Sequence, residues 1–199
     1  MIRRGLEVGI TLIIMIIFLL PGLITMFLVR LKMGTPVLFK QERTGLHMKS
    51  FYIYKFRTLT NEVDERGDLL PDALRLTPFG RVLRKLSLDE LPQLINVLKG
   101  DMSLIGPRPL LVHYNPFYTV EERKRFMVKP GITGLAQVSG RNLLDWDSRL
   151  ALDVKYVNDR TLWLDFKILL ITCINVIRRK DIVDLTSIGL KDLDIERGM

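Results

Sequence analysis

Cysteine and histidine are scarce in this sequence of 199 residues: one cysteine, Cys173, and two histidines, His47 and His113. One thiol excludes an internal disulfide and any cysteine cluster for zinc. Cys173 sits in the apolar run Leu169-Leu170-Ile171-Thr172-Cys173-Ile174, the setting of a small buried hydrophobe rather than a nucleophile. Neither histidine has a partner nearby in sequence, so neither takes a role. Internal repeats and low-complexity tracts are absent. Acidic surplus is absent too, since 30 Lys and Arg face 22 Asp and Glu for a net charge of +8. With a pI near 9.7, that balance points to a polyanionic partner: nucleic acid, an anionic membrane face or phosphorylated substrates. A chain of this length with 48% hydrophobic residues can bury one ordinary domain core.

The longest absence is of charge, from Val8 to Val29. At 1.5 Å per residue this apolar run reaches roughly 33 Å as a helix, enough to cross a hydrocarbon core. No small-x-small cleavage site follows it, which argues against a removed signal peptide. Pro21-Gly22 lies past the middle, where a missing backbone donor kinks or breaks a helix. Arg3 and Arg4 flank one end, and Arg30 and Lys32 the other, so the positive-inside tendency pulls both ends to the cytoplasmic face. A bent hairpin that enters one leaflet and returns accounts for both facts better than a straight span.

Short apolar-rich runs over 36–41 and 51–57, bridged by Arg43-Thr44-Gly45-Leu46, predict a β-hairpin. Its second run alternates aromatics with Lys55 and Arg57, the pattern of a strand with one packed face; single-strand nucleic-acid binding is the weaker reading. Residues 61–72 are polar and read as a surface loop. Thr77-Pro78-Phe79-Gly80 opens a basic helix through Arg81, Arg84 and Lys85. Glu121 to Arg125 reads as a solvated mixed-charge face. The stretch 129–142 is rich in glycine, which lets backbone donors approach phosphates, but its spacing matches neither a P-loop nor a dinucleotide fingerprint. The run 163–180, with a basic end and an aromatic at its start, reads as an interfacial helix, with an ordinary core helix as competitor.

Chemistry concentrates in Leu86-Ser87-Leu88-Asp89-Glu90-Leu91-Pro92-Gln93-Leu94, followed by Gly106-Pro107-Arg108-Pro109. Two adjacent carboxylates at a helix entry can attack, take a proton or ligate a metal, while a proline-flanked guanidinium grips phosphate oxygens in a fork. The same acids also fit a Ser87-to-Glu90 capping box with Asp89 favourable at the helix dipole. Pro92 argues against so simple a cap, because it falls within the first turns and removes a donor. The predicted helix closes at Lys99-Gly100. The residues alone leave cap and active site open.

The chain resembles the bacterial sugar transferases, the monotopic phosphoglycosyl transferases that start glycan assembly on a polyprenyl carrier. The likeness runs from the apolar N-terminus to about Lys180. It is carried by Tyr54-Lys55-Phe56-Arg57-Thr58, Leu69-Leu70-Pro71-Asp72, Ser87 to Leu94, Asn96 to Ser103 and Gly106-Pro107-Arg108-Pro109. Pro130-Gly131-Ile132-Thr133-Gly134, Gly140-Arg141-Asn142 and Leu164-Asp165-Phe166-Lys167 continue it. The resemblance implies an α+β, mostly helical fold. Its parts would be a re-entrant membrane helix hairpin over 1–33, a catalytic domain over 34–180 with a small β-hairpin and interfacial amphipathic helices, and a tail over 181–199.

It further implies transfer of a phosphosugar from a UDP-sugar to polyprenyl (undecaprenyl) phosphate with release of UMP, at the cytoplasmic face of the bacterial inner membrane. In that reading Asp89 is the nucleophile and a magnesium ligand, and Glu90 assists deprotonation of the acceptor or positions the groups. Arg108 holds phosphate, Lys55 and Arg84 are further charge partners, and Arg141 serves the nucleotide phosphate or uridine. The membrane kink falls at Leu20-Pro21, where the family's break is a serine-proline pair and this chain has no hydroxyl; Glu7 stands where relatives often have aspartate. Anionic lipids are expected partners, a homodimer is allowed, and nucleic acid is not expected. The competing class is a non-enzymatic basic protein docked on a membrane.

Overall fold

The uncharged N-terminal run folds into two helices, α1 (Ile2–Ile17) and α2 (Leu19–Met33), bent by 60° between them. The computed structural model describes residues 2–140, 144–178 and 192–198. Among these no single helix is long and apolar enough to cross a membrane, whereas the bent pair qualifies by length and composition. The break falls at Phe18, earlier than the expected Leu20-Pro21, and Pro21 occupies the first turn of α2. Proline explains the offset: it has no N–H for the carbonyl of Ile17, four residues back, and its ring crowds that carbonyl. The ladder resumes on either side, with Phe18 N donating to Ile14 O at 2.9 Å and Gly22 N to Phe18 O at 2.8 Å.

Both ends of this pair are fastened to the same body. Arg3 pairs with Asp165, and Arg4 Nη2 donates to the carbonyls of Val97 and Leu98 at 2.7 and 3.2 Å. Glu7 accepts from the Ser103 hydroxyl and, at 2.8 Å, from the Leu104 amide. At the far end Val29, fully buried, packs with Phe56 and Leu83.

Strands β1 (Leu38–Thr44) and β2 (Ser50–Phe56) form the expected antiparallel hairpin, with Gln41 opposite Ile53. β1 runs further than 36–41 because Thr44 has tertiary partners: its amide meets Leu110 O at 3.1 Å and its hydroxyl Asn115 Oδ1 at 2.8 Å. After the exposed loop come α3 (Asp72–Arg75) and α4 (Pro78–Lys85), the latter capped by the Thr77 hydroxyl accepting from Gly80 N at 2.8 Å. Helix α5 (Gln93–Lys99) ends at Gly100, whose φ of 90° is the left-handed C-cap the sequence predicts. Asn96, wholly buried on α5, fixes it to β2: its amide nitrogen donates to Tyr52 O at 2.8 Å and its oxygen accepts from Tyr54 N at 3.2 Å.

A second sheet was not expected. β3 (Ser103–Ile105) lies parallel to β4 (Gly131–Thr133), followed by α6 (Leu135–Ser139), α7 (Trp146–Asp159), α8 (Leu162–Arg178) and a terminal turn of helix α9 (Leu193–Arg197). One core gathers Ile53, Val97, Met102, Ile105, Tyr156 and Ile168 from five elements and the α5–β3 link. Helix α8 buries Ile168 and Asp165 but leaves Trp163, Phe166, Leu170 and Ile174 exposed at helical spacing, an apolar row that this core does not use. Cys173 is exposed on α8 rather than buried, because the inward stripe of that helix is taken by Asp165, Ile168 and its neighbours. The mostly helical α+β architecture is as expected.

Candidate active site

Asp89 and Glu90 share one 3₁₀ turn, Leu88–Glu90, between α4 and α5. The residue before the turn, Ser87, sits in the left-handed region at φ 54° and its side chain caps nothing. The capping box is therefore not formed, and Pro92 takes the N-cap position of α5. A positive φ in serine costs roughly 1–2 kcal/mol. Local conformation alone does not favour that backbone.

Glu90 is spent on cations. Its Oε1 accepts from Lys55 Nζ at 2.7 Å and from Arg108 Nη2 at 3.0 Å. Burial alone would raise this carboxyl; the Lys55 ammonium and Arg108 guanidinium outweigh it and hold Glu90 well below the usual carboxylate range. Asp89 goes the other way. Burial, reinforced by the neighbouring Glu90 charge, pushes its carboxyl above the ordinary aspartate value, against the pull of Lys55, Arg84 and Arg108. Among the described residues no donor is hydrogen-bonded to it. Two carboxylates adjacent in sequence are thus driven apart in character, one clamped and ionised, the other desolvated and uncommitted. That division is the signature of paired carboxyls with different tasks.

The structure therefore brings together Lys55 from β2, Arg84 from α4, the acid pair and Arg108 from the loop after β3. Arg84 is steadied by its Nε donating to the Thr58 hydroxyl at 3.1 Å. Arg141 lies outside the described residues. Leu20 and Pro21 lie at the start of α2, apart from this chemistry.

The Arg108 loop is held by groups that sequence reasoning did not select. Gly106 meets two other glycines so closely that a Cβ on Gly134 would lie 2.1 Å from Gly106 O, and one on Gly131 2.1 Å from Gly106 N. The glycine-rich stretch read as a weak phosphate cradle thus serves backbone packing, with Gly106 N donating to Thr133 O at 2.9 Å and Gly131 N to Pro107 O at 2.9 Å. Arg125, expected on a solvated face, is buried: its Nε and Nη2 reach Asp153 Oδ2 at 3.1 and 2.8 Å, and Nη2 also donates to Arg108 O at 2.7 Å. No local signal marks that pairing, because Asp153 is 28 residues away.

No group of three or more metal-type side chains occurs among the described residues. A magnesium ion held by one or two carboxylates would take the rest of its shell from substrate phosphates and water, and the carboxylates present fit that arrangement. Asp89 would supply a carboxylate with no hydrogen-bond donor among the described residues, close to Lys55, Arg84 and Arg108.

These features define a cluster of one acid pair and three cations, Lys55, Arg84 and Arg108, and comparison with known proteins gives the family. Residues 1–179 match the model of the bacterial sugar transferase family. The chain belongs to that family. It is 59% identical over 150 residues to the uncharacterized sugar transferase EpsL of Bacillus subtilis (strain 168), covering 75% of this chain and 74% of that protein. It is 38% identical over 185 residues to the UDP-glucose:undecaprenyl-phosphate glucose-1-phosphate transferase of Caulobacter vibrioides, covering 85% of this chain and 67% of that one. The undecaprenyl-phosphate galactose phosphotransferase of Salmonella typhimurium is 44% identical over 163 residues, 73% of this chain but 34% of that protein. The chain thus spans about a third of that last relative's length. Family membership sets aside the reading as a non-enzymatic membrane-docked protein.

Proposed function

We propose that the chain transfers a phosphosugar from a UDP-sugar to undecaprenyl phosphate, releasing UMP, as the first membrane step of bacterial polysaccharide assembly. The observation that carries the reading is the division of labour at Asp89 and Glu90. A carboxylate attacks phosphorus best when its oxygens are uncommitted, and among the described residues Asp89 alone of the pair accepts no hydrogen bond. A carboxylate oxygen of Asp89 attacks the β-phosphorus. The bond to the bridging oxygen breaks, and UMP leaves with the electron pair. An oxygen of undecaprenyl phosphate then attacks the same phosphorus, the acyl phosphate bond breaks, and Asp89 returns as carboxylate with undecaprenyl diphosphosugar as product.

Glu90 is held too low to serve as an effective base, which favours its positioning role. It sets Lys55 and Arg108 where charge accumulates on the phosphoryl oxygens. A phosphate monoester with its second pKa near 6 is already substantially ionised at neutral pH and needs little help in deprotonation. Magnesium, held by Asp89 and the substrate phosphates, would neutralise the repulsion between anionic nucleophile and anionic donor.

The membrane arrangement supports the same chemistry. Arg3, Arg4 and Glu7 contact the catalytic body at one end of the apolar pair and Val29 at the other, which a hairpin entering and leaving one face accommodates. A straight span of about 30 Å would carry one end away from it. The exposed apolar row of α8 would lie in the same interface, with the net positive charge facing anionic lipid. The test is mass spectrometry of wild type with a panel of UDP-sugars and no acceptor. A phosphosugar adduct on Asp89 with UMP released is the expected outcome, and neither forms in Asp89→Asn. Near-normal turnover by the Asn variant overturns the assignment.

A further inference from the structure

Arg125 and Asp153 are the most deeply buried ion pair in the described chain, each side chain 2% exposed. Burying such a pair is poor value as stability: two desolvated charges often contribute no more than well-packed apolar residues of similar volume. The pair has a second attachment that a purely structural one does not need. The same Arg125 Nη2 that meets Asp153 donates at 2.7 Å to the carbonyl of Arg108. Arg125 is itself fixed, its guanidinium lying against the rings of Tyr118 and Phe126 at 5.5 and 5.2 Å and Nη1 reaching the Tyr118 hydroxyl at 3.4 Å. From the other side Arg43, bridged to Leu111, points Nη1 at the carbonyl of Pro109 at 3.5 Å.

The charges facing this spot are unbalanced. Arg108 repels Arg43, and Arg108 and Arg125 both repel Arg149. Tyr114 and Tyr118 face them, and the carboxylates are Glu90 and Asp89, acting on Arg108, and Asp153, paired with Arg125 and also felt by Arg149. Asp153 is thus what allows a guanidinium to sit beneath Arg108 among other guanidinia.

We propose that Asp153 and Arg125 are positioning residues for the proposed phosphotransfer: Asp153 orients Arg125, and Arg125 fixes the Arg108 backbone so that its guanidinium meets the donor's phosphate. The inference rests on the reaction above, and misplacement of such a group by about 1 Å costs on the order of 100-fold in rate. The informative variant is the double change Arg125→Met with Asp153→Leu, which removes both buried charges and the bond to Arg108 while filling similar volume.

Expected are a folded protein with a wild-type melting temperature, a donor KM raised about tenfold and kcat lowered about tenfold. Amide hydrogen exchange should quicken in residues 106–111 and not elsewhere. Arg125→Lys, which keeps the charge but loses the fork, should fall between. A merely structural pair would lower the active fraction and leave donor KM and local exchange unchanged, and that result overturns the proposal. If the double variant does not fold, Arg125→Lys decides by the same readouts. If wild type itself releases no UMP, the reaction assignment fails, and the exchange of residues 106–111 alone decides whether the pair holds the loop.

Discussion

Replacing Gly134 by alanine tests whether the glycine-rich stretch acts through packing or through phosphate contact. Gly134 has extended backbone, so alanine brings no conformational strain there; the obstacle is space. Its Cβ would lie 2.1 Å from Gly106 O and 2.8 Å from Gln137 Oε1, where ordinary contact begins at 3.4 Å. The backbones at Gly106 and Gly134 must part by about 1.3 Å, and overpacking of that kind costs about 1–3 kcal/mol. Two residues beyond Gly106 is Arg108, so much of the shift reaches the guanidinium and turnover per folded molecule should drop about 100-fold, some 2.7 kcal/mol in barrier. UMP release would be measured alongside denaturant unfolding, with Gly67→Ala as control. Gly67 lies in the exposed loop at φ +84° with nothing within 4 Å, so alanine there costs about 1 kcal/mol in stability and leaves turnover alone. Normal turnover per folded molecule in Gly134→Ala would refute the link from glycine packing to Arg108.

Asp89→Asn should abolish turnover yet melt above wild type at neutral pH. Because the folded-state carboxyl is raised by burial, its protonated form contributes stability below the ordinary aspartate value that is lost as pH rises, and the advantage of Asn should vanish on acidification. Glu90→Gln has the opposite sign: the depressed carboxyl contributes above the ordinary glutamate value, so calorimetry should show a loss of roughly 2 kcal/mol at neutral pH that shrinks as pH falls. Excess chelator should stop UMP release and magnesium restore it; full activity without metal would mean that Lys55, Arg84 and Arg108 suffice. In a Cys173→Ser background, cysteine at Ile2 should resist an impermeant thiol reagent in intact cells. Pro21→Leu, which restores a donor for the Ile17 carbonyl, should straighten the pair and expose that cysteine outside; labelling without the Pro21 change would contradict the hairpin.

Features governed by neighbours in sequence were legible. The Thr77 cap, the Gly100 stop, the β1–β2 hairpin and the uncharged N-terminal helical run all follow from residues within a few positions of one another. The β3–β4 pair was not, since three-residue strands 26 residues apart carry no alternation long enough to read. The break between α1 and α2 falls a few residues before the expected Leu20-Pro21 for a related reason. Proline marks a missing donor at its own position, but the carbonyl that loses its partner lies four residues earlier, and the helix ends there.

At the site, residue types were legible and their commitments were not. Serine three residues before glutamate describes a helix cap and a clamped carboxylate equally well. The choice is made by the left-handed backbone at Ser87 and by Lys55, 35 residues before Glu90. Arg125 shows the same limit more sharply. Its neighbour Lys124 does pair with Glu121 at 2.7 Å on the surface, as a mixed-charge face should. One position on, the backbone turn sends the next side chain inward, where a lone guanidinium would be costly to desolvate. Asp153 makes that burial tolerable, and Arg125 does the same for Asp153. Since neither charge can be buried without the other, and 28 residues separate them, no stretch of sequence around either one could have distinguished it from an ordinary solvated residue.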